Sequence, residues 1–151
     1  MTIQITPMEA KHSDQVWQIE QQAHSHPWAE SLVRDLSSRG ACHHVMTEDH
    51  QVLGYFYAQN IVGEVTLLNI AIAPHQQGKG LGQKLLDAFL EYCEQAKAES
   101  AWLEVRESNH PAIHIYEQAG FNEVDRRYNY YPAKTGNSKE DAIIMSYLFL
   151  I

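Results

Sequence analysis

The stretch Gln77-Gly78-Lys79-Gly80-Leu81-Gly82 decides how the rest of the chain is read. Ahead of it lies the apolar run Val65-Thr66-Leu67-Leu68-Asn69-Ile70-Ala71-Ile72. That run is rich in β-branched residues and too short for a stable helix, so it reads as a buried strand. Behind the glycines, Leu81, Leu85, Leu86, Phe89, Leu90 and Cys93 recur at helical spacing. A glycine-rich turn therefore joins a strand to a helix N-terminus. Glycine lets backbone come close to a ligand, and the free N–H groups of a first helical turn favour a phosphate.

Two common phosphate loops do not match. The Walker pattern needs four residues between its first glycine and Gly-Lys-Ser/Thr, which this turn lacks. The dinucleotide pattern needs a third glycine where the chain has Gln83. What remains, Gln77-x-x-Gly80-x-Gly82, resembles the coenzyme A pyrophosphate loop of the GNAT N-acetyltransferases. Taken alone, the same residues also suit an ordinary strand–helix turn.

Composition narrows the classes. A chain of 151 residues is long enough for one sizeable core. With 44% hydrophobic and 20% charged residues it reads as globular rather than disordered. A formal net charge of −8 argues against a nucleic-acid partner, which calls for a basic face, and is compatible with a basic peptide or polyamine. Neither a signal peptide nor an 18-residue apolar span is seen, so the reading is a cytoplasmic protein with no membrane partner. Of the two cysteines, Cys93 falls on the apolar helix face, as a buried free thiol does. The nine histidines form three close pairs, and only His110 and His114 have i,i+4 spacing, without the acidic partner of an HExxH site. No metal is expected.

Outward from the glycine turn, the chain alternates between the two periods. Ile3–Ile5 is a short first strand, and Ser13 or Asp14 can cap a helix carrying Val16, Trp17 and Ile19. Residues Trp28 to Ser38 read as a second helix with Trp28, Leu32, Val33 and Leu36 on one side and Gly40 as its stop. These two helices either flank a substrate cleft or cover a sheet. Cys42–Met46 is a weak strand. Val52–Ile61 is a stronger one, paired through Gly63-Glu64 with Val65–Ile72 as an antiparallel hairpin. After the glycine turn and its helix, Ala101–Val105 returns as a strand, which favours parallel pairing through a right-handed crossover. Pro111 suits the first turn and Gly120 the C-terminal cap of a last helix. Phe121–Tyr131 and Ala142–Leu150 close the chain around a polar loop, Ala133–Glu140.

A second pattern, Asn109-x-x-Ala112-x-x-x-Tyr116-x-x-x-Gly120-Phe121, resembles the other GNAT signature, in the right order after the first. Within that family the chain looks most like the bacterial ribosomal-protein alanine N-acetyltransferases. The likeness spans His26-Pro27-Trp28, Trp102-Leu103-Glu104-Val105-Arg106, Arg127-x-x-Tyr130-Tyr131-Pro132 and Asp141-Ala142-Ile143-Ile144-Met145. Ala29 stands where a capping Ser or Thr would be usual, and the 133–140 loop is slightly long for the pattern.

The resemblance implies one α/β acetyltransferase domain over residues 1–151, with a mixed sheet of about seven strands flanked by about four helices. It implies acetyl-CoA as donor, and as acceptor a protein N-terminal α-amine, that of alanine on a small-subunit ribosomal protein. It assigns Glu104, near the end of its strand, as general base through water, and Tyr116 as the acid for the leaving thiolate. It assigns the backbone of Ile70, Ala71 and Ile72 to the pantetheine arm, and Gln77, Gly78, Lys79, Gly80, Leu81 and Gly82 to the pyrophosphate. Asn109 goes to cofactor contact, although a helix cap is equally compatible with its chemistry. On the residues alone, Glu104 is a surface carboxylate and Tyr116 a core ring.

Arg126, Arg127, Tyr128, Tyr130 and Tyr131 form a basic-aromatic cluster that reads as a peptide-facing strand end; stacking on RNA suits a net charge of −8 poorly. No cysteine lies in a motif for a covalent acetyl-enzyme, so direct attack in a ternary complex is expected. The competing functions are a lysine or small-amine acetyltransferase and a non-catalytic acetyl-CoA sensor. The sensor would need neither Glu104 nor Tyr116.

Overall fold

The computed structural model describes residues 2–133 and 138–149. Among them, seven strands form one sheet: β1 (Ile3–Pro7), β2 (His44–Glu48), β3 (Gln51–Ile61), β4 (Glu64–Ile72), β5 (Ser100–Arg106), β6 (Asn122–Pro132) and β7 (Lys139–Leu148). The order across the sheet is β1-β2-β3-β4-β5-β7-β6. Every neighbouring pair is antiparallel except β4–β5, which is parallel. The four helices are α1 (Ser13–Ala23), α2 (Glu30–Arg34), α3 (Leu81–Gln95) and α4 (His110–Ala119).

Both faces of the sheet are covered, which is why β3 can be an almost unbroken apolar run, buried from Val52 through Ala58. Alternate side chains serve two cores. Phe56 and Met46 pack with Leu85, Leu86 and Phe89 of α3 and with Tyr116 of α4. Tyr55, Tyr57 and Val45 pack on the other face with Val16 and Ile19 of α1 and Val33 of α2. Cys93, on the inner face of α3, is wholly buried, and burial pushes its thiol up to about 12.

The expected mixed sheet and its strand–helix–strand crossover are therefore present. Several local readings need correction. Neither Ser13 nor Asp14 caps α1: a 3₁₀ turn, Ala10–His12, precedes it, and the capping box joins Glu9 and His12. The helix expected over Trp28–Ser38 is only the five residues of α2. It starts after Ala29, which offers no capping oxygen. It ends where the Asp35 carboxylate accepts from the Ser37 N–H and hydroxyl, both at 2.9 Å, a local bond that competes with the helix. Leu32 consequently faces solvent while Val33 is buried. Gly40 stops no helix. It lies against β3, where a Cβ would come within 2.4 Å of the Asn60 carbonyl. In the expected 133–140 loop, residues 134–137 lie outside the described residues, and Lys139 and Glu140 already belong to β7.

Candidate active site

The site begins where two parallel strands part. β4 and β5 pair only from Glu64–Ser100 to Leu67–Leu103. Beyond that register β5 stays paired with β7, and β4 stays paired with β3, so the two diverge. A bulge in β4 promotes the divergence: Tyr57 faces Asn69 and Ala58 faces Leu67, leaving Leu68 as the extra residue. An extra residue bends its strand. The edge of β4 beyond Leu67 is thereby free of β5, and Ile70, Ala71 and Ile72 line the resulting cleft.

This first cleft has a volume of about 630 Å³ and runs from the free β4 edge, over the glycine turn, to α4. Gly78, Gly80, Leu81, Gly82 and Gln77 all line it. Gly78 and Gly80 adopt left-handed backbone with φ of +81° and +79°, and a Cβ at either would meet nothing within 4 Å. Gly80 is the N-cap of α3, without any side-chain capping bond, and no acidic residue stands in the first turn. The chain thus leaves an uncapped helix N-terminus behind bare backbone, the arrangement an anionic phosphate requires. Gln77 is turned elsewhere: its side-chain amide donates to the Ile72 carbonyl at 3.1 Å and ties the turn to the strand end. Lys79 extends outward and donates to Gln76 at 3.0 Å.

Between the parted strands lies a second cavity of about 210 Å³. Glu104 and Tyr116 both line it, together with Glu20, Trp28, Asn69 and Tyr131. Tyr116 is buried, and burial first, then the nearby Tyr131, pushes its phenol up to about 12. Glu104 is about two-thirds covered, and its Oε1 lies 3.2 Å from Nε of Arg127. Asn109 caps α4, its Oδ1 accepting from the Ala112 N–H at 3.3 Å, and it also lines the first and second cavities. The helix-cap role considered for Asn109 is thus observed, and its place in the lining leaves a cofactor contact open to it. A third cavity, of about 370 Å³, adjoins them beside Ser25, His26 and Ser108.

The cluster Arg126–Tyr131 does not act as one surface. Arg126 turns to Glu107 and Asp141, 3.0 Å from the latter, and is spent on joining β6 to β7. Arg127 reaches Glu104 and lies over the Tyr130 ring at 5.2 Å. Tyr128 is in solvent. Tyr131 faces the cavity beneath the Arg106 guanidinium, 4.5 Å from its ring. Ordinary strand alternation separates Arg126 from Arg127, and the pairing with β7 is irregular between Arg127 and Tyr131, where β6 carries two extra residues.

Sequence reasoning missed the other wall. Glu20 is completely buried in α1 and holds Trp28, Tyr55 and Asn69 by hydrogen bonds of 2.7–2.9 Å. One signal was available: Glu20 falls on the same helical stripe as Val16 and Ile19, where a carboxylate is out of place. The sequence pattern around Arg106 assigns that residue no role. Arg106 in fact clamps three segments, donating to the Pro132 carbonyl and to Glu140, and lying 3.2 Å from Nδ1 of His26.

A parted parallel strand pair, a backbone-lined cleft and an open helix N-terminus make a site for an extended ligand that carries phosphate. The chain belongs to the acetyltransferase (GNAT) family, whose pattern matches residues 13–121. It is an N-acetyltransferase that uses acetyl-CoA. Among its relatives, the ribosomal protein bS18-alanine N-acetyltransferase of Haemophilus influenzae is 39% identical over 94% of this chain and 96% of its own length. The crystal structure of the ribosomal-protein-S18-alanine N-acetyltransferase from Escherichia coli superposes with a TM-score of 0.90 at 36% identity, covering 96% of this chain and 92% of that one. A GNAT acetyltransferase from Elizabethkingia anophelis, solved with acetyl-CoA bound, shares the fold at a TM-score of 0.80 and 18% identity, over 97% and 98% of the two chains. Among the described residues, no helix is long and apolar enough to cross a membrane.

Proposed function

We propose that this chain, acting as one domain over residues 1–151 in the cytoplasm, acetylates the N-terminal alanine of a small-subunit ribosomal protein by direct transfer in a ternary complex. The carrying observation is that the backbone-lined cleft meets, at Tyr116, a cavity holding the Glu104 carboxylate. The names of the relatives support the choice of acceptor. Bound acetyl-CoA supplies a thioester carbonyl and a thiolate leaving group. The glycine turn at Gln77–Gly82 and the first turn of α3 hold its pyrophosphate, and the free edge Ile70–Ile72 pairs with its amide-bearing arm as an added strand does. An N–H of that edge polarises the carbonyl oxygen. Glu104 takes the proton of the incoming amine through a water. Tyr116, held well above neutral pH, stays protonated and supplies the proton the departing sulfur needs. Neither Cys42 nor Cys93 lines the three cavities, which supports direct attack over an acetyl-cysteine intermediate.

An α-amine suits a single carboxylate base better than a lysine side chain does. Its reference pKa of about 7.7–8.0 lies roughly 2.5 units below that of lysine, or about 3.4 kcal/mol in the cost of the free base at neutral pH. The test uses two alanine-initiated peptides of a ribosomal protein N-terminus, each with an internal lysine, one with a free and one with a blocked α-amine. Acetylation is expected of the free peptide alone. Comparable acetylation of the blocked one would transfer the acceptor to lysine, and no turnover of either, with acetyl-CoA still bound, would mean that the acceptor is another amine.

A further inference from the structure

The attacking amine must present its lone pair to the thioester carbonyl, so its N–H groups must be held elsewhere. Glu104, through water, accounts for one of them in the function proposed above, on which this inference rests. His24 offers a second acceptor. His24 and Asn109 line all three cavities and so stand where the cofactor cleft meets the acceptor side. Asn109 has its side-chain oxygen engaged in capping α4. His24 ends α1 in extended backbone, with its side chain about two-thirds covered.

The tautomer of His24 follows from the groups behind it. Glu20 is fully buried and hydrogen-bonded through both oxygens: Oε2 accepts from the Trp28 N–H at 2.9 Å, and Oε1 from the Tyr55 hydroxyl at 2.7 Å. Oε1 also accepts from Nδ2 of Asn69 at 2.8 Å. A carboxylate offers no hydrogen, so the Asn69 amide must turn its nitrogen toward Glu20 and its oxygen away. That oxygen lies 2.8 Å from Nε2 of His24. A carbonyl oxygen only accepts, so Nε2 carries the hydrogen, and in the neutral imidazole Nδ1 is left with a bare lone pair.

We propose that His24 is an acceptor-binding residue whose Nδ1 accepts an N–H of the incoming α-amine, and that Glu20 and Asn69 are positioning residues that hold its tautomer. With one N–H on His24 and another on the water of Glu104, the amine lone pair is aimed rather than free to rotate.

Long-range ¹H–¹⁵N spectra of the imidazoles, assigned by comparison with His24→Ala, test the tautomer: Nε2–H is expected in the wild type and a mixture in Asn69→Ala. Steady-state kinetics with the free alanine-initiated peptide test the role. His24→Ala should lower kcat/KM for the peptide about ten- to a hundredfold, the range for losing one hydrogen bond to a charged or reacting group. The acetyl-CoA dissociation constant should change far less than this, since in the function proposed above the glycine turn and the β4 edge, not His24, hold that cofactor's phosphates and amides. Asn69→Ala should show a smaller loss of the same kind. In the double variant that loss should vanish, because Asn69 acts through His24. An Nδ1–H tautomer in the wild type, an unchanged kcat/KM in His24→Ala, or additive losses would each overturn the proposal. A wild type inactive on this peptide marks failure of the proposed acceptor; an active wild type indifferent to His24 marks failure of this inference.

Discussion

The two walls of the active site are built by opposite means. The wall proposed here for the cofactor is almost all backbone: the free edge of β4, two left-handed glycines and an uncapped helix N-terminus, within residues 70–82. The wall proposed for the acceptor is made of side chains drawn from distant parts of the chain. Arg106 meets His26 across 80 positions and Glu140 across 34, and Asn69 meets Glu20 across 49. A backbone wall serves a cofactor whose phosphates need N–H groups and close approach. A side-chain wall can be altered one residue at a time, which is what discrimination among acceptors requires. The contrast predicts that substitutions on one wall leave ligand affinity on the other unchanged.

The largest effect is expected at the seam. Glu104→Gln and Tyr116→Phe should each lower kcat by about 10²–10⁴-fold, the usual worth of a positioned acid or base, with acetyl-CoA affinity nearly intact. For Glu104→Gln part of the rate should return at higher pH, where more amine is unprotonated. Rates across pH and calorimetric titration check both; wild-type turnover in both variants removes the chemistry from the seam. Next comes Gly80→Val. A β-branched residue in left-handed backbone costs roughly 1–2 kcal/mol, and its side chain would occupy the space above the turn. Acetyl-CoA binding should weaken at least about tenfold while direct binding of the acceptor peptide is retained, as separate titrations can show.

On the opposite wall, Arg106→Ala removes a largely buried partner of Glu140 and releases the Pro132 carbonyl. A loss of about 2–3 kcal/mol is expected by denaturation, because the Glu140 carboxylate is left without its guanidinium. The peptide KM should rise while acetyl-CoA affinity holds. A variant that loses cofactor affinity instead would break the contrast between the walls.

The smallest effect concerns pH. Tyr116 in the folded chain is pushed up to about 12, against an ordinary value near 10. From pH 10 upward the unfolded chain sheds this proton and the folded chain keeps it, so stability falls as pH rises through 10–12. Tyr116→Phe abolishes that contribution. Between pH 9 and pH 11 the variant should lose about 1.4 kcal/mol less than the wild type, measured by denaturant unfolding. An identical pH slope would mean that the phenol is not held protonated.

The same contrast explains what could be read before folding. The apolar run ending at Ile72, the glycines and the helical stripe from Leu81 to Cys93 are contiguous, and their meaning lies in local periodicity and in the conformations glycine permits. The Asn109 cap and the Gly120 stop were legible for the same reason. The shortening of α2 was not, because the bond of Asp35 to Ser37 competes with a helix that the apolar spacing favoured.

By itself, the sequence determined the order of strands and helices, the glycine turn, and through two spaced patterns the family. Only the tertiary structure decided that β4 and β5 part after Leu67 and Leu103, that Arg126 and Arg127 face different partners, and that Glu20 is buried behind Asn69 and His24. Local pattern dictates backbone conformation. The partner of a charged side chain is chosen by which distant segment covers it, through bulges and pairings that shift a residue from one face to the other.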